Sequence, residues 1–448
     1  MRLGALLRAA GIEGSILETA SASAEVTGVA HDSRSVRPGD LFCCVPGASH
    51  DGHDFASEAV RSGASALVCE RPLGLAAPTL VVPSVRAAMP LLAAAMHGWP
   101  SRHLSLVGVT GTNGKTSVVH LLSWILGRSG RRTDAHGTLS GGRTTPEATD
   151  LQAMLGRWVS DGVETAAIEV SSHALAQHRV DGTHFALVGF TNLSRDHLDF
   201  HTSMSDYEAA KARVWEGIGS PADAVANLAD PVVAAHAPSG ATGFGTDEAA
   251  CRVEGGRLML NGSEMVAVAD LPRTMPHDLL NAQAACALAV RAGATMEACA
   301  GSLTCFPGLA HRMAFVTEVA GVRYVDDSKA TTPHATLAAL AGLPGAVLIA
   351  GGRNKGLDLA PLAEGRPRAV VAIGEAAAAV VVAYEGRCPV VTAESMDEAV
   401  SLAHRSADGT GTVLLSPGCS SFDWYGSYDE RGRDFQRLVG ALAGTVDR

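Results

Sequence analysis

The sequence predicts an α/β protein of about three domains, centred on a phosphate-binding loop. Its length is the first observation, because 448 residues exceed one ordinary domain of about 100–200 residues. The second is alternation of strand-like and helix-like runs over residues 98 to 310 and again from 313 onward, which implies parallel sheets covered by helices. The third is Leu104-Ser-Leu-Val-Gly-Val-Thr-Gly-Thr-Asn-Gly-Lys-Thr-Ser117. An apolar segment from Leu104 to Val109 suits a buried strand. A turn, Gly111, Thr112, Asn113 and Gly114, then leads into an apolar helix-like run ending at Leu126.

That order places backbone N–H groups where phosphate oxygens would sit, at a helix N-terminus whose dipole favours an anion. Lys115 is suited to β/γ-phosphate charge, and the Thr116 hydroxyl to Mg²⁺. The strict phosphate-loop spacing is not met, since Val109 stands where its first glycine belongs.

Composition sets limits. With 47% apolar and 18% charged residues, the chain can bury sizeable cores and is not a disordered protein. A formal net charge of −11 argues against nucleic acid as the main partner. No apolar run approaches the roughly 20 residues of a membrane span. The start, Met1 to Arg8, reads as an amphipathic helix and not a signal peptide. Nine scattered cysteines without a Cys-x-x-Cys pair are expected as reduced, buried residues of a cytoplasmic protein.

In chain order, residues 1–97 form a first unit with a strand over Leu41 to Val45 and a helix over Ala56 to Arg61. By themselves, Asp32, Ser33 and Arg34 read as a turn with a solvated ion pair, while the nearby histidines could equally grip a polar ligand. Residues 98–312 form the second unit. Ligands of parallel sheets sit at strand carboxyl ends. That gives weight to Ser171 to His173 after Ala166–Val170, and to Thr191 to His197 after Ala186–Phe190. It also gives weight to the turn of Arg143, Thr144 and Thr145, with a helix beginning at Pro146. Glu169 is acidic within an apolar strand, where burial unpaired is costly; a cation is the expected partner. His197 by itself reads equally as a surface histidine, and Lys211 as an exposed helix lysine. Short strands fill 220–275, and an alanine-rich helix runs through Arg291. The last unit, 313–448, carries strands near Tyr324–Asp327, Ala346–Ala350, Ala369–Ile373 and Val413–Ser416. Their carboxyl ends bear lysine, arginine, serine and threonine, a partly cationic rim suited to carboxylate or phosphate. No internal repeat is present.

These runs together resemble the Mur ligases, ATP-dependent amide-forming enzymes of peptidoglycan precursor synthesis. The resemblance spans essentially the whole chain. It rests on Thr110 to Thr116, Glu169 to His173, Thr191 to Asp199, Ala210 with Lys211, and Ser328 to Thr331. It implies a three-domain architecture: 1–97 binding the UDP end of UDP-MurNAc, 98–312 binding ATP, and a Rossmann-like 313–448 binding the incoming amino acid. The first two units are similar to the diaminopimelate- or lysine-adding (MurE-type) ligases, through Asp32 to Arg34, Pro38 to Phe42, Asp51 to His53, Thr144 to Pro146 and Ser171 to Leu175. The last is similar to the D-glutamate-adding (MurD-type) ligases, through Gly308 to Met313, Asp327 to Thr331, Gly351 to Gly356, and Leu415 to Gly432. The Asp-Asn-Pro-Arg motif that reads diaminopimelate is absent from the sequence.

The resemblance implies the following site. Gly111, Thr112, Asn113, Gly114, Lys115, Thr116 and Ser117 hold the ATP phosphates, Asn281 contacts adenine, and Arg312 with Asp327 bring the last domain onto ATP. Thr116 and Glu169 hold one Mg²⁺, and His197 a second, supported by Lys211 as a carbamate. Ser33, Ser49, His50, Thr144, Thr145, Ser171, Gln177 and Arg179 face the sugar nucleotide. Lys329, Thr331, Lys355, Ser421 and Tyr428 face the amino acid, with Tyr428 standing where the family has phenylalanine. The leading expectation is a monomeric, cytoplasmic ligase adding glutamate to UDP-MurNAc-L-alanine. The alternatives are a ligase adding a third residue, diaminopimelate or lysine, to the dipeptide, and a non-ligating nucleotide-binding partner subunit.

Overall fold

A computed structural model describes residues 1–12, 16–17, 22–47 and 50–446. They form three sheets. The first has five strands: β1 (Ile16–Leu17), β2 (Gly28–Ala30), β3 (Asp40–Cys43), β4 (Ala66–Cys69) and β5 (Thr79–Val81), in the order β1-β5-β4-β3-β2. All its pairs are parallel except β1 with β5. The helix Leu3–Ala9 turns Leu3, Leu6 and Leu7 inward, the helical spacing expected of an amphipathic start.

The second sheet has nine strands: β6 (Ser105–Thr110), β7 (Thr133–His136), β8 (Thr165–Glu169), β9 (Leu187–Phe190), β10 (Ala224–Asn227), β11 (Thr242–Phe244), β12 (Cys251–Glu254), β13 (Arg257–Leu260) and β14 (Ser263–Ala267). Their order is β14-β13-β12-β11-β10-β9-β6-β8-β7. The strands from β7 to β12 across the sheet pair in parallel, and β13 and β14 extend it antiparallel. Because β6 lies between β8 and β9, the chain leaves it at a point where the strand order changes direction. Such a switch point opens a crevice beyond the strand ends. The loops after β6, β8 and β9 therefore share one edge. The helix Lys115–Arg128 covers this sheet with Val118, Leu122 and Ile125, all fully buried.

The third sheet has six strands: β15 (Ala314–Val319), β16 (Val322–Asp326), β17 (Val347–Gly351), β18 (Ala369–Ile373), β19 (Val390–Ala393) and β20 (Gly411–Gly418). The order is β15-β16-β20-β17-β18-β19, parallel except for β15. β17 and β18 are buried along their whole length, as expected where helices cover both faces.

The chain divides into two compact units, Met1–Thr274 with Asp278–Phe306, and Met275–His277 with Pro307–Arg448. The division falls at Phe306/Pro307, whereas the sequence pattern suggests 312/313. The 97/98 position lies between the helix Val85–Met96 and β6, inside the first unit. The physical link there is shared packing: Ala148, at the head of the helix Ala148–Ser160, belongs to the core of the first sheet. His31 Nδ1 also bonds Thr149 Oγ1 at 2.7 Å.

Several expectations shift. The helix expected at Pro146 begins at Ala148, because Glu147 is extended and its carboxylate serves arginines. The edge strands β7, β15 and β19 carry no long apolar run and are not anticipated by the pattern. Of the nine cysteines, Cys388 is half-buried and Cys305 exposed, contrary to a uniformly buried set. No helix among the described residues is long and apolar enough to cross a membrane. Leu414 is fully buried at the centre of the third sheet. Leu414→Ala should lower unfolding stability by about 2–5 kcal/mol, read as a reduced urea midpoint of the second unit's transition.

Candidate active site

The loop after β6 is shaped by close approaches. Gly111 has φ 143°, a conformation that side chains disfavour, and a Cβ there would run into Thr191 Oγ1. A Cβ on Gly114 would meet Asn281 Oδ1, which sets Asn281 against the loop. Neighbouring segments brace the turn. Asn113 N donates to Asn192 Oδ1 at 2.9 Å, Asn192 Nδ2 donates to Asn113 O at 3.1 Å, and Thr191 Oγ1 donates to Asn113 O at 2.6 Å. Thr112 Oγ1 receives Ser194 N at 3.0 Å and lies 3.0 Å from the Tyr207 hydroxyl. Lys115 heads the helix and donates to Gly111 O at 2.7 Å and Thr112 O at 3.0 Å. Thr116 is buried and Ser117 half-buried.

Lys211 overturns its reading as an exposed helix lysine. It is 1% exposed, and its Nζ donates to Gly111 O at 2.8 Å, the carbonyl that Lys115 also uses. Burial, then the charge of Lys115, pushes its pKa well below that of an ordinary lysine, with Asp196 opposing. The neutral amine is thereby favoured. It sits against the Tyr207 ring, 5.0 Å from the centroid. His197 has φ 54° and is half-buried. Burial lowers its pKa, Asp196 opposes, and Lys115 and Lys211 lower it further. It meets His173 edge-on at 4.9 Å, and His173 in turn stacks near Phe200 and His201. Burial and the two neighbouring histidines bring His173 down to about 4.

Glu169 ends β8, 1% exposed. Its Oε1 accepts from Thr138 N at 2.8 Å and its Oε2 from Thr138 Oγ1 at 3.2 Å. Gly137 passes so near that a Cβ would strike the carboxylate. Among the described residues no lysine, arginine or histidine forms an ion pair with it. A buried carboxylate with neutral donors and no cation fits a divalent ion. No group of three or more His, Cys, Asp or Glu is gathered as a metal cluster among the described residues.

The sugar-nucleotide candidates fall into two groups. Thr145 Oγ1 donates to Glu169 O at 2.8 Å and accepts from Ser171 N at 3.0 Å. Thr144 Oγ1 lies 3.2 Å from Thr138 Oγ1. Arg179 donates to Thr145 O and to Gln177 Oε1, and pairs with Glu147 at 3.0 Å. Arg143 and Arg86 also face that one buried carboxylate, a local excess of positive charge. Ser33 lies apart from these, 3.4 Å from Glu58 Oε2, and His50 is exposed near Phe55. Asp32 and Arg34 form the expected solvated pair at 2.6 Å. Ser49 lies outside the described residues.

In the second unit, Asp327 is buried just after β16. Ser416 Oγ donates to its Oδ2 at 2.8 Å and Met313 N to its Oδ1 at 3.2 Å. Burial still raises its carboxyl to about 7, with Ser416, Arg312 and Met313 opposing. Arg312 itself is half-buried. Lys329 Nζ lies 3.7 Å from the Tyr428 ring centroid. Ser421 is buried, Thr331 half-buried, and Lys355 exposed with its ammonium 5.2 Å from the Phe422 ring.

Sequence reasoning gave no role to Thr138, Glu147 or Tyr207, and did not foresee that Thr191 and Asn192 brace the loop. A partner for Glu169 could be anticipated from burial, but not its identity. Thr191 and Asn192 stand within a run already singled out.

Comparison places this geometry in a class of phosphate-loop α/β proteins with appended domains. Three family models match: "Mur ligase family, catalytic domain" over residues 25–99, "Mur ligase middle domain" over 109–289, and "Mur ligase, glutamate ligase domain" over 311–419. The chain is 38% identical over 400 residues to a UDP-N-acetylmuramoylalanine–D-glutamate ligase of Frankia casuarinae, covering 85% of this chain and 82% of that one. It belongs to the Mur ligase family. It is also 44% identical over 223 residues to a UDP-N-acetylmuramoyl-L-alanyl-D-glutamate–2,6-diaminopimelate ligase of Geobacillus thermodenitrificans, a match spanning 46% of each chain. A solved structure of a ligase of that latter kind superposes with TM-score 0.71 at 22% identity over the full length of both chains. MurF ligase of Thermotoga maritima in complex with ADP gives 0.65 at 20% identity, covering 93% of this chain and 99% of that one.

Two predictions follow from the loop and from Asp327. Gly111→Ala should displace Thr191 and lower the melting temperature of the first unit, measured by calorimetry. For Asp327 the folded chain retains a proton that the unfolded chain loses above about pH 4. The associated stability is complete below that pH and lost as pH rises through about 7. Asp327→Asn should remove this slope, so the wild type should lose urea resistance relative to the variant between pH 5 and pH 8.

Proposed function

We propose that this chain is a cytoplasmic, ATP-dependent ligase that adds glutamate to UDP-MurNAc-L-alanine. The observation that carries the ligase reading is the pairing of a phosphate loop with a buried lysine on one carbonyl, Lys115 and Lys211 on Gly111 O. In the reaction, a terminal carboxylate oxygen of the acceptor attacks the γ-phosphorus of ATP, and the bond to the β–γ bridging oxygen breaks to release ADP. The amine of the amino acid then attacks the acyl carbon, loses a proton, and displaces phosphate. Two anions must meet, so charge neutralisation dominates the chemistry.

The roles follow from placement. Residues 111–117 would receive the ATP phosphates, with Lys115 moving from loop carbonyls to phosphate oxygens, and Asn281 would meet adenine. Thr116 and Glu169 would hold one Mg²⁺ and His197 a second. When bound, these ions supply charge neutralisation at the transferring phosphoryl group. Lys211, favoured as a neutral amine, could add CO₂ through Nζ with loss of a proton, giving a carbamate whose negative charge supports the second ion. Thr144, Thr145, Ser171, Gln177 and Arg179, with Ser33, Ser49 and His50, would bind the sugar nucleotide in the 1–97 and 98–312 segments. Arg312 and Asp327 would bring the 313–448 segment onto ATP, and Lys329, Thr331, Lys355, Ser421 and Tyr428 would bind the amino acid.

Glutamate is favoured because the cationic rim of the third sheet suits a second carboxylate, and because the 400-residue relative is a D-glutamate ligase. A second reading, addition of a third residue to the dipeptide, is favoured by the first half's likeness to diaminopimelate ligases. The test offers UDP-MurNAc-L-alanine and the UDP-MurNAc-dipeptide separately to D-glutamate, L-glutamate, diaminopimelate and lysine with Mg-ATP, with mass spectrometry of products. Glutamate on the monopeptide is expected. A third residue on the dipeptide overturns it in favour of the second reading, and no ligation points to a non-ligating partner subunit. Lys355→Ala or Ser421→Ala should raise the KM for glutamate about tenfold or more, the loss of one charge-assisted hydrogen bond. An unchanged KM would remove both residues from the site.

A further inference from the structure

The rim of the third sheet holds a buried cation to which the roles above give no part. Arg431 lies in the first turn of the helix Tyr428–Val446 and is 1% exposed. Its Nε donates to Ser328 Oγ at 2.9 Å and its Nη2 to Ser328 O at 2.8 Å. Nη1 and Nη2 both donate to Cys419 O at 3.2 Å. Among the described residues no carboxylate forms an ion pair with it. Burial lowers its pKa to about 10, so it stays charged at neutral pH, with Asp423 the leading opposing charge. A guanidinium buried with only neutral acceptors within hydrogen-bond reach, and with Asp423 and Asp326 acting on it from farther off, is an expensive way to hold a fold together.

Its partners share a location. Ser328 follows β16 and Cys419 follows β20. A Cβ on Gly352, just after β17, would come 3.1 Å from Nη1. Three strand carboxyl ends and one helix start thus meet on a single side chain. Ser328 Oγ passes the connection on, donating to Tyr428 O at 2.8 Å. Next to Ser328 is Lys329, whose ammonium rests on the Tyr428 ring, and two residues after Cys419 is Ser421. A planar guanidinium can bind several carbonyls in fixed directions at once, which a lysine cannot.

We propose that Arg431 is the positioning residue of the incoming amino acid's subsite: through Ser328 it fixes Lys329 against Tyr428. This rests on the reading of the rim as the amino-acid site. Removing the fork should loosen Lys329 and Tyr428 together while leaving the phosphate loop of the other unit untouched. A purely structural arginine would instead affect stability and every substrate alike.

The experiment is steady-state kinetics on the full chain, varying each of the three substrates in turn, with melting temperatures alongside. Arg431→Gln should raise the KM for glutamate about tenfold or more, with the KM values for ATP and UDP-MurNAc-L-alanine within about twofold. Arg431→Lys, which keeps charge but loses the fork, should recover part of the loss. Ser328→Ala leaves the arginine in place and cuts the link to Tyr428. It should raise the glutamate KM severalfold with kcat and the other two KM values nearly unchanged and a modest fall in melting temperature, since Arg431 Nε loses an acceptor, and it decides the matter if Arg431→Gln fails to fold. An unchanged glutamate KM, or all three KM values rising together as the melting temperature falls, overturns the proposal. Should the wild type add a different amino acid, the glutamate reading fails, and Arg431 is judged on the KM of the residue actually used. A wild type that ligates nothing overturns the reading of the rim itself.

Discussion

Two lysines share one backbone carbonyl. Lys115 and Lys211 both reach Gly111 O, at 2.7 and 2.8 Å. Burial, and then the charge of Lys115, press the Lys211 pKa well below that of an ordinary lysine. This single constraint ties the phosphate loop to the helix Met204–Ala212. Both side chains thus bear on the conformation of the loop itself.

The same architectural rule operates in both units. In each, a parallel sheet brings its strand ends to one edge, and polar side chains collect there. At the second sheet the loop is braced by Thr191 and Asn192. At the third sheet Arg431 ties Ser328 to Cys419, beside Lys329 on the Tyr428 ring. The difference is one of material: one edge is braced by small side chains against backbone, the other by a planar guanidinium that joins several segments at once.

Much of the fold was legible in the sequence. Buried parallel strands such as β17 and β18 announce themselves as continuous apolar runs, and the helix Ala56–Arg61 is closed by Ser62 and Gly63 as its sequence suggests. The edge strands β7, β15 and β19 were not legible, because half-exposed segments mix polar and apolar residues without a clean period. The helix after Pro146 starts late because Glu147 answers to arginines distant in sequence. Within the site, the glycine-rich loop and Glu169 follow from local chemistry. Lys211 does not: its helix, Met204–Ala212, has weak amphipathic character, and its burial arises from packing against Tyr207 and a loop a hundred residues earlier. Arg431 stands within the run Leu415 to Gly432 already singled out, but its burial was not legible, since nothing local distinguishes it from the solvated Arg433 and Arg437 on the same helix.

The placement of the cysteines has a practical side. Seven of the nine thiols are buried and Cys388 is half-buried, whereas Cys305 is exposed one residue before the Phe306/Pro307 division. The one exposed thiol thus stands in the chain segment where the first unit ends. A maleimide fluorophore or spin label would attach there first in the unaltered chain, and would report on the surroundings of that segment. No engineered cysteine would be needed.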